Sequence, residues 1–185
     1  MHPRLERVIR ELEDAEARLR RLASGIPAEW WGRRAHPARW SVAECVVHLN
    51  LTSQAYLPLI RDATARARTL GGPAPRRYRR DPVGWLLWYM AGPPVRYRVP
   101  TTAPFVPQAL APRAEVLEAF HRLQAGQIEA VREADGLPLE RVRVTSPFDP
   151  RVRYNLYSCL TLLAPHQERH LWQAERVLEE LRRTR

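Results

Sequence analysis

The feature that most limits what this chain can become is a helical period that recurs four times. From Pro3 to Ser24, Leu5, Val8, Ile9, Leu12, Ala15, Leu19 and Leu22 return at threes and fours with charged residues between them, the spacing of one apolar helix face. Gly25 and Pro27 then stop the segment. Ser41 and Glu44 stand at the capping-box spacing, so a second helix is expected from there to about Leu70, with Val42, Cys45, Val46, Leu49, Thr52, Tyr56, Leu59 and Ile60 inward. Pro58 is expected to bend or divide it, because proline lacks a backbone donor. A third helix is expected over Arg113–Ala134, between Pro112 and Gly136, with Val116, Leu117, Phe120, Leu123, Gln127, Ile128 and Val131 inward. The fourth runs from about Val152 to Arg182, and its inward series reads Leu156, Cys159, Leu163, His166, His170, Gln173 or Ala174, Val177, Leu181.

Four such stripes cannot be buried singly, so the expected fold is all-α, a four-helix bundle forming one domain over residues 1–185. Residues 71–112, between the second and third helices, form the longest irregular connection and carry one short helical candidate at Val83–Met90. A connection of that length usually covers or shapes something, and Trp85 and Trp88 are its candidate pocket walls. Trp30, Trp31 and Trp40 precede the second helix and are expected to seal the core. Residues 137–150 alternate briefly around Val142 and Val144 and are expected to form an extended connector rather than a sheet edge. Nothing supplies the Gly-rich strand-to-helix turn of a nucleotide-binding α/β fold.

Composition narrows the setting. The two cysteines, Cys45 and Cys159, belong to no close pair, which argues for a reducing compartment, the cytoplasm, and against a disulfide framework or cysteine-rich zinc module. The amino-terminal stretch is charged throughout and no run is apolar enough to span a bilayer, so no membrane partner is expected. All 30 basic residues are arginine, and the net charge of +10 is uneven. Residues 61–98 hold nine arginines against Asp62 and Asp81, a surplus that would attract a polyanion. No zinc finger, aromatic RNA-binding motif or helix-turn-helix pattern accompanies it, so nucleic acid is not the expected partner.

The chemistry concentrates in "PHQERH", residues 165–170. His166 and His170 are four apart, which places both imidazoles on one helix face a turn apart, and they fall inside the inward series. Two imidazoles buried without partners would be costly. His48, one turn beyond Cys45 on the inward side of the second helix, offers a third nitrogen. Three nitrogens would hold a divalent metal ion and leave a position for water or a substrate atom. Glu168 lies on a different face and is expected to pair at the surface, while His2, His36 and His121 are expected to be structural or solvated. Pro165 leaves the carbonyl of Thr161 without its donor, so a kink aiming the imidazole pair at His48 is expected.

"RWSVAECVVHLN" at 39–50 and "HQERHLWQ" at 166–173, in that order and separated by a further helix, resemble the DinB-like superfamily of metal-binding four-helix bundles. That superfamily takes in YfiT-type metal-dependent hydrolases and thiol-dependent S-transferases. The resemblance covers about residues 3–182 and implies His48, His166 and His170 as ligands to one ion, zinc or nickel. It further implies an up-up-down-down-like topology with a long crossing connection, a homodimer, and hydrolysis or transfer of a low-molecular-weight thiol cosubstrate onto a small-molecule substrate. Arginines within residues 76–98 would recognise a carboxylate on such a thiol. The competing reading is a non-enzymatic, metal-stabilised scaffold or binding protein that uses the arginine patch. The chain departs from the superfamily's usual pattern at Pro165 and in its long second connection, which leaves the ligand positions intact.

Overall fold

The structure is a computed structural model that describes residues 1–73, 75–93 and 100–184. Among the described residues five α-helices form: α1 (Pro3–Ser24), α2 (Val42–Leu70), α3 (Pro82–Ala91), α4 (Arg113–Glu133) and α5 (Leu156–Arg183). Helices α1, α2, α4 and α5 make an all-α four-helix bundle. Ser41 caps α2 as its spacing predicts, its hydroxyl accepting from the Glu44 amide while the Glu44 carboxylate accepts from the Ser41 amide. Burial of the carboxylate raises its pKa, but the Arg34 guanidinium and the Ser41 donors outweigh that and hold it below its ordinary value.

Helix direction follows from which ends share a core. One apolar cluster joins the start of α1 and α5 to the end of α2 and α4, through Leu5, Ile60, Val131 and Leu160. The other joins the end of α1 and α5 to the start of α2 and α4, through Leu22, Val46, Phe120 and Val177. The bundle is therefore up-down-down-up, with α2 and α4 parallel, and not the up-up-down-down order that the sequence resemblance implied. Two consecutive parallel helices need a connection that travels back along the bundle, and residues 71–112 make that return.

This connection is bolted to α5. Asp81 caps α3, accepting from the Gly84 amide at 3.0 Å, and also accepts from the Ser158 hydroxyl at 2.9 Å and Arg143 at 2.6 Å. Arg80 donates to the Thr161 hydroxyl at 2.7 Å and lies over the Trp88 ring, 4.2 Å from its centroid. The expected extended connector is instead a small antiparallel ladder, β1 (Arg143–Thr145) with β2 (Arg153–Asn155), Val144 opposite Tyr154. Those pairings consume the residues expected to begin the fourth helix, so α5 starts four positions late, where the Asn155 side chain accepts from the Ser158 amide. Neither Pro58 nor Pro165 divides its helix: α2 and α5 run on through them. Packing explains the tolerance, since Leu57 and Ile60 flank the first in the core and every residue from Leu156 to Ala164 is buried before the second.

Between the two apolar clusters lies a polar layer. Gln167 donates to Gln124 Oε1 at 2.7 Å and to Gln127 Oε1 at 2.8 Å; Gln124 donates to the Leu12 carbonyl at 2.6 Å and Gln127 to Ser53 Oγ at 2.9 Å. These groups are all buried and tie all four bundle helices together at one level.

Candidate metal centre

At the level of this belt, α2 and α5 converge three imidazoles. His48 comes from the first half of α2, and His166 and His170 from successive turns of α5, His166 being next in sequence to the belt residue Gln167. The ring centroids are separated by 4.4 Å for His48–His170, 4.7 Å for His166–His170 and 5.3 Å for His48–His166. One nitrogen from each lies within 4.8 Å of the others. His48 Nε2 and His166 Nε2 are 3.4 Å apart. Two nitrogens bound tetrahedrally to zinc at about 2.05 Å would stand about 3.3 Å apart, so this pair is already at ligand spacing.

Neighbouring acceptors orient the rings. The Phe105 carbonyl lies 2.8 Å from His48 Nδ1, and a carbonyl only accepts, so Nδ1 carries the proton and Nε2 keeps its lone pair toward the cluster. His170 Nδ1 donates to Gln173 Oε1 at 3.1 Å, which leaves its Nε2 in the same state. Burial lowers the pKa of all three imidazoles, aided for His166 and His170 by the neighbouring imidazoles and Arg169; His166 falls to about 3. At neutral pH the cluster is three unprotonated nitrogens, the donor set that zinc and similar divalent ions take. The residues present therefore fit a metal ion.

The cluster opens on a cleft of about 1280 Å³. Trp40 forms one wall, its ring 5.0 Å from His48 and 6.0 Å from His170 by centroid, and Phe148 packs 6.0 Å from His166 on another side. Leu87, Met90 and Ala91 of α3 contribute an apolar wall, and Gln127 and Gln167 bring the belt to the cleft surface.

Residues 11–174 match the DinB superfamily. The chain belongs to the DinB superfamily. No curated protein and no solved structure matches it.

The DinB fold brings together all three histidines singled out from the sequence, while the other candidates stand apart. Trp85 is 54 % exposed and stacks on Tyr89, and Trp88 lines a separate hollow beside Glu11 and Pro165, so neither walls the metal cleft. The tryptophans that do are Trp40 and Trp172. An uncharged helix presents indoles all round, and only its docking on α5 decides which side meets the cleft. The cleft's arginines are Arg39, Arg169 and Arg176 rather than members of the 76–98 stretch, of which Arg96 and Arg98 lie outside the described residues. Arg80, which belongs to that stretch, is committed to Trp88 and Thr161. Glu168 pairs with Arg18, as expected of a group off the imidazole face. His121 meets Glu16 at the surface, His36 accepts from the Ala38 amide, and His2 caps α1. Cys45 and Cys159 are free and buried in apolar surroundings, which raises both thiol pKa values. The Phe105 carbonyl escaped the sequence reading because a backbone acceptor has no side-chain signature; Gln173 had one, as the last residue of HxxxHxxQ.

Proposed function

We propose that this DinB-superfamily chain is a single-domain, metal-dependent enzyme in which His48, His166 and His170 hold one divalent ion, zinc or nickel, and which hydrolyses a small molecule or transfers a low-molecular-weight thiol to it. The observation that carries this reading is the trio of converging, unprotonated imidazole nitrogens at the floor of an open cleft. A divalent ion held there supplies Lewis acidity and favours the deprotonated form of a water or thiol beside it. The chain's own part is positional. Phe105 and Gln173 fix the tautomers, Trp40 and Phe148 shield two sides of the cluster, and Arg169 lines the cleft with Arg39 and Arg176, which are paired with Glu180 and Glu179.

The open cleft favours an enzyme over a metal-stabilised scaffold, which would need no such volume and would bind metal tightly without turnover. We further assign a cytoplasmic homodimer; among the described residues no helix is long and apolar enough to cross a membrane. Elemental analysis of purified protein should find one ion per chain, lost in His48→Ala, His166→Ala and His170→Ala with the helical signal largely kept. Metal-loaded protein should turn over one class in a panel of thiols with electrophiles, esters and amides. A wild type that takes up no zinc, nickel, manganese or iron refutes the site, and turnover that survives removal of all three imidazoles refutes the mechanism. Light scattering should give twice the 21.5 kDa chain mass.

A further inference from the structure

Helix α3 poses a problem the metal centre does not solve. From Pro82 to Ala91 it contains no charged residue. Its inner side is accounted for: Gly84 is buried against Ser158, and Leu87, Trp88 and Ala91 pack on the core. The outer side is equally apolar, yet it faces out. Val83 is 39 % exposed, Trp85 54 %, Leu86 51 % and Tyr89 41 %, and their spacing of three and four puts them with Pro82 on one helix face. A helix that is apolar all round ordinarily has both sides covered, and an exposed cluster of large apolar side chains marks an interaction surface.

Charge selects the occupant. The helix sits inside the arginine-rich 61–98 stretch, where Arg76, Arg77 and Arg79 are exposed just ahead of it and Arg96 and Arg98 follow in sequence. The two acids of that stretch are both ion-paired, Asp62 with Arg66 on the surface at 3.0 Å and Asp81 with Arg143 at 2.6 Å, which leaves the stretch its arginine surplus. A second copy docking face to face would set one basic stretch against another in a chain of net charge +10. Nucleic acid would be drawn by the arginines but gains little from Val83 and Leu86. Trp, Tyr and Leu on an exposed helix face, with exposed arginines a few residues ahead of it in sequence, are what the interface of an anionic bilayer takes, the apolar side chains entering the headgroup boundary and the guanidinium groups meeting lipid phosphate and carboxylate.

We propose that the outer face of α3 docks on an anionic lipid surface. The sequence expectation of no membrane partner rested on the lack of a spanning segment, and lying on a membrane is a different matter from crossing it. A handful of side chains is too little apolar area to hold the protein alone, so binding requires both lipid charge and aromatic insertion. Because Leu87 and Ala91 line the cleft from the other side of the same short helix, and Met90 lines it from the edge next to Val83 and Leu86, docking would bring that cleft wall to the lipid surface.

The test uses the full chain and vesicles of phosphatidylcholine alone or with about one-third phosphatidylserine. Sedimentation should show partitioning onto the anionic vesicles, at least about tenfold weaker on the neutral ones and falling sharply as salt approaches 0.5 M or so. Trp85→Ser with Leu86→Ser should lower partitioning about tenfold, with helical content and metal content unchanged, since both side chains point outward. Arg76→Ser with Arg77→Ser should weaken binding to anionic vesicles only. The proposal is overturned by no partitioning onto anionic vesicles at low salt, or by partitioning that survives the Trp85→Ser, Leu86→Ser change. It is also overturned if that change converts a dimer to a monomer in light scattering, which would make the face a contact between copies.

Discussion

Replacing Gly84 with alanine tests the bolt between the crossover and the bundle. A Cβ at position 84 would overlap both Oγ and Cβ of Ser158 and lie 2.7 Å from Asp81 Oδ1, far inside the 3.5 Å or so at which carbon atoms rest in contact. Ser158 cannot turn aside, because its own Cβ is one of the obstructing atoms and it is fully buried at the start of α5. The first turn of α3 must therefore retreat. Overpacking of this kind costs about 1–3 kcal/mol. The retreat also weakens the Ser158 hydroxyl bond to Asp81 and the Asp81 amide bond to Ser158, at about 0.5–1.5 kcal/mol each. Alanine's helical preference returns at most about 1 kcal/mol. The net loss should be about 2–4 kcal/mol, a Tm fall of roughly 5–12 °C for a chain of this size. Metal content should stay at wild-type stoichiometry, since the ligands sit on α2 and α5. Ser158→Gly removes the obstruction, so the double variant should lose at least about 1 kcal/mol less than the sum of the two single changes, whereas Ser158→Ala removes Oγ and its two bonds but keeps the obstructing Cβ, so its double variant should recover less than that with Ser158→Gly. An unchanged Tm for Gly84→Ala, or strict additivity with Ser158→Gly, would refute the steric argument.

Three other outcomes follow from the site. Gln173→Leu removes the acceptor that holds His170 Nδ1–H, and chelator competition should show metal affinity down about ten- to a hundredfold, with Gln173→Glu close to wild type; equal affinity for the leucine variant would dismiss Gln173 as an orienting group. In metal-free protein the three imidazoles have folded pKa values below their unfolded value of about 6.5, so the unfolded chain binds more protons below that pH. Their contribution is whole above about pH 6.5 and is lost as pH falls toward the folded values, so urea melts should weaken from pH 7 to 5 by a slope that His48→Asn, His166→Asn, His170→Asn together remove; a triple variant with the wild-type slope would contradict this. Gln167→Leu strands the carbonyls of Gln124 and Gln127 at a cost of about 2–4 kcal/mol, while leucine at all three positions should recover most of it, and a recovery that fails would show that the belt's value is not pairwise hydrogen bonding.

The sequence was most readable where local chemistry decides the outcome. Ser41 and Glu44 cap α2 by a contact three residues long, and the stripe of α1 matched its observed bounds because one face of that helix packs and the other is solvated. The three histidines were readable because burying an imidazole demands a partner and the periodicity had already turned them inward. What failed depended on long-range packing. Helix direction is set by which ends share a core, which no stripe records. Trp85 and Trp88 are alike in sequence and differ only in what α5 leaves open, and β1 pairs with β2 through backbone groups that local propensity cannot see.

The location of the cluster follows from the belt beside it. A bundle whose core were apolar from end to end would offer a metal no place to enter without breaking packing, and burial alone would leave the imidazoles unsatisfied. Here the core is already divided: Gln124, Gln127, Gln167 and Ser53 hold a polar layer between two apolar clusters, each of which packs without them. Gln167 belongs to that layer and the next residue back along α5 is His166, so one turn of a single helix serves both. The apolar clusters hold the helices at both ends, and the layer between them fixes the register at which α2 and α5 meet. That register brings His48 to the spacing of a shared ion with His166. A one-turn slip of α5 along α2, about 5.4 Å, would bury the glutamines against leucines and part the imidazoles together. The same hydrogen bonds that specify the packing therefore assemble the site.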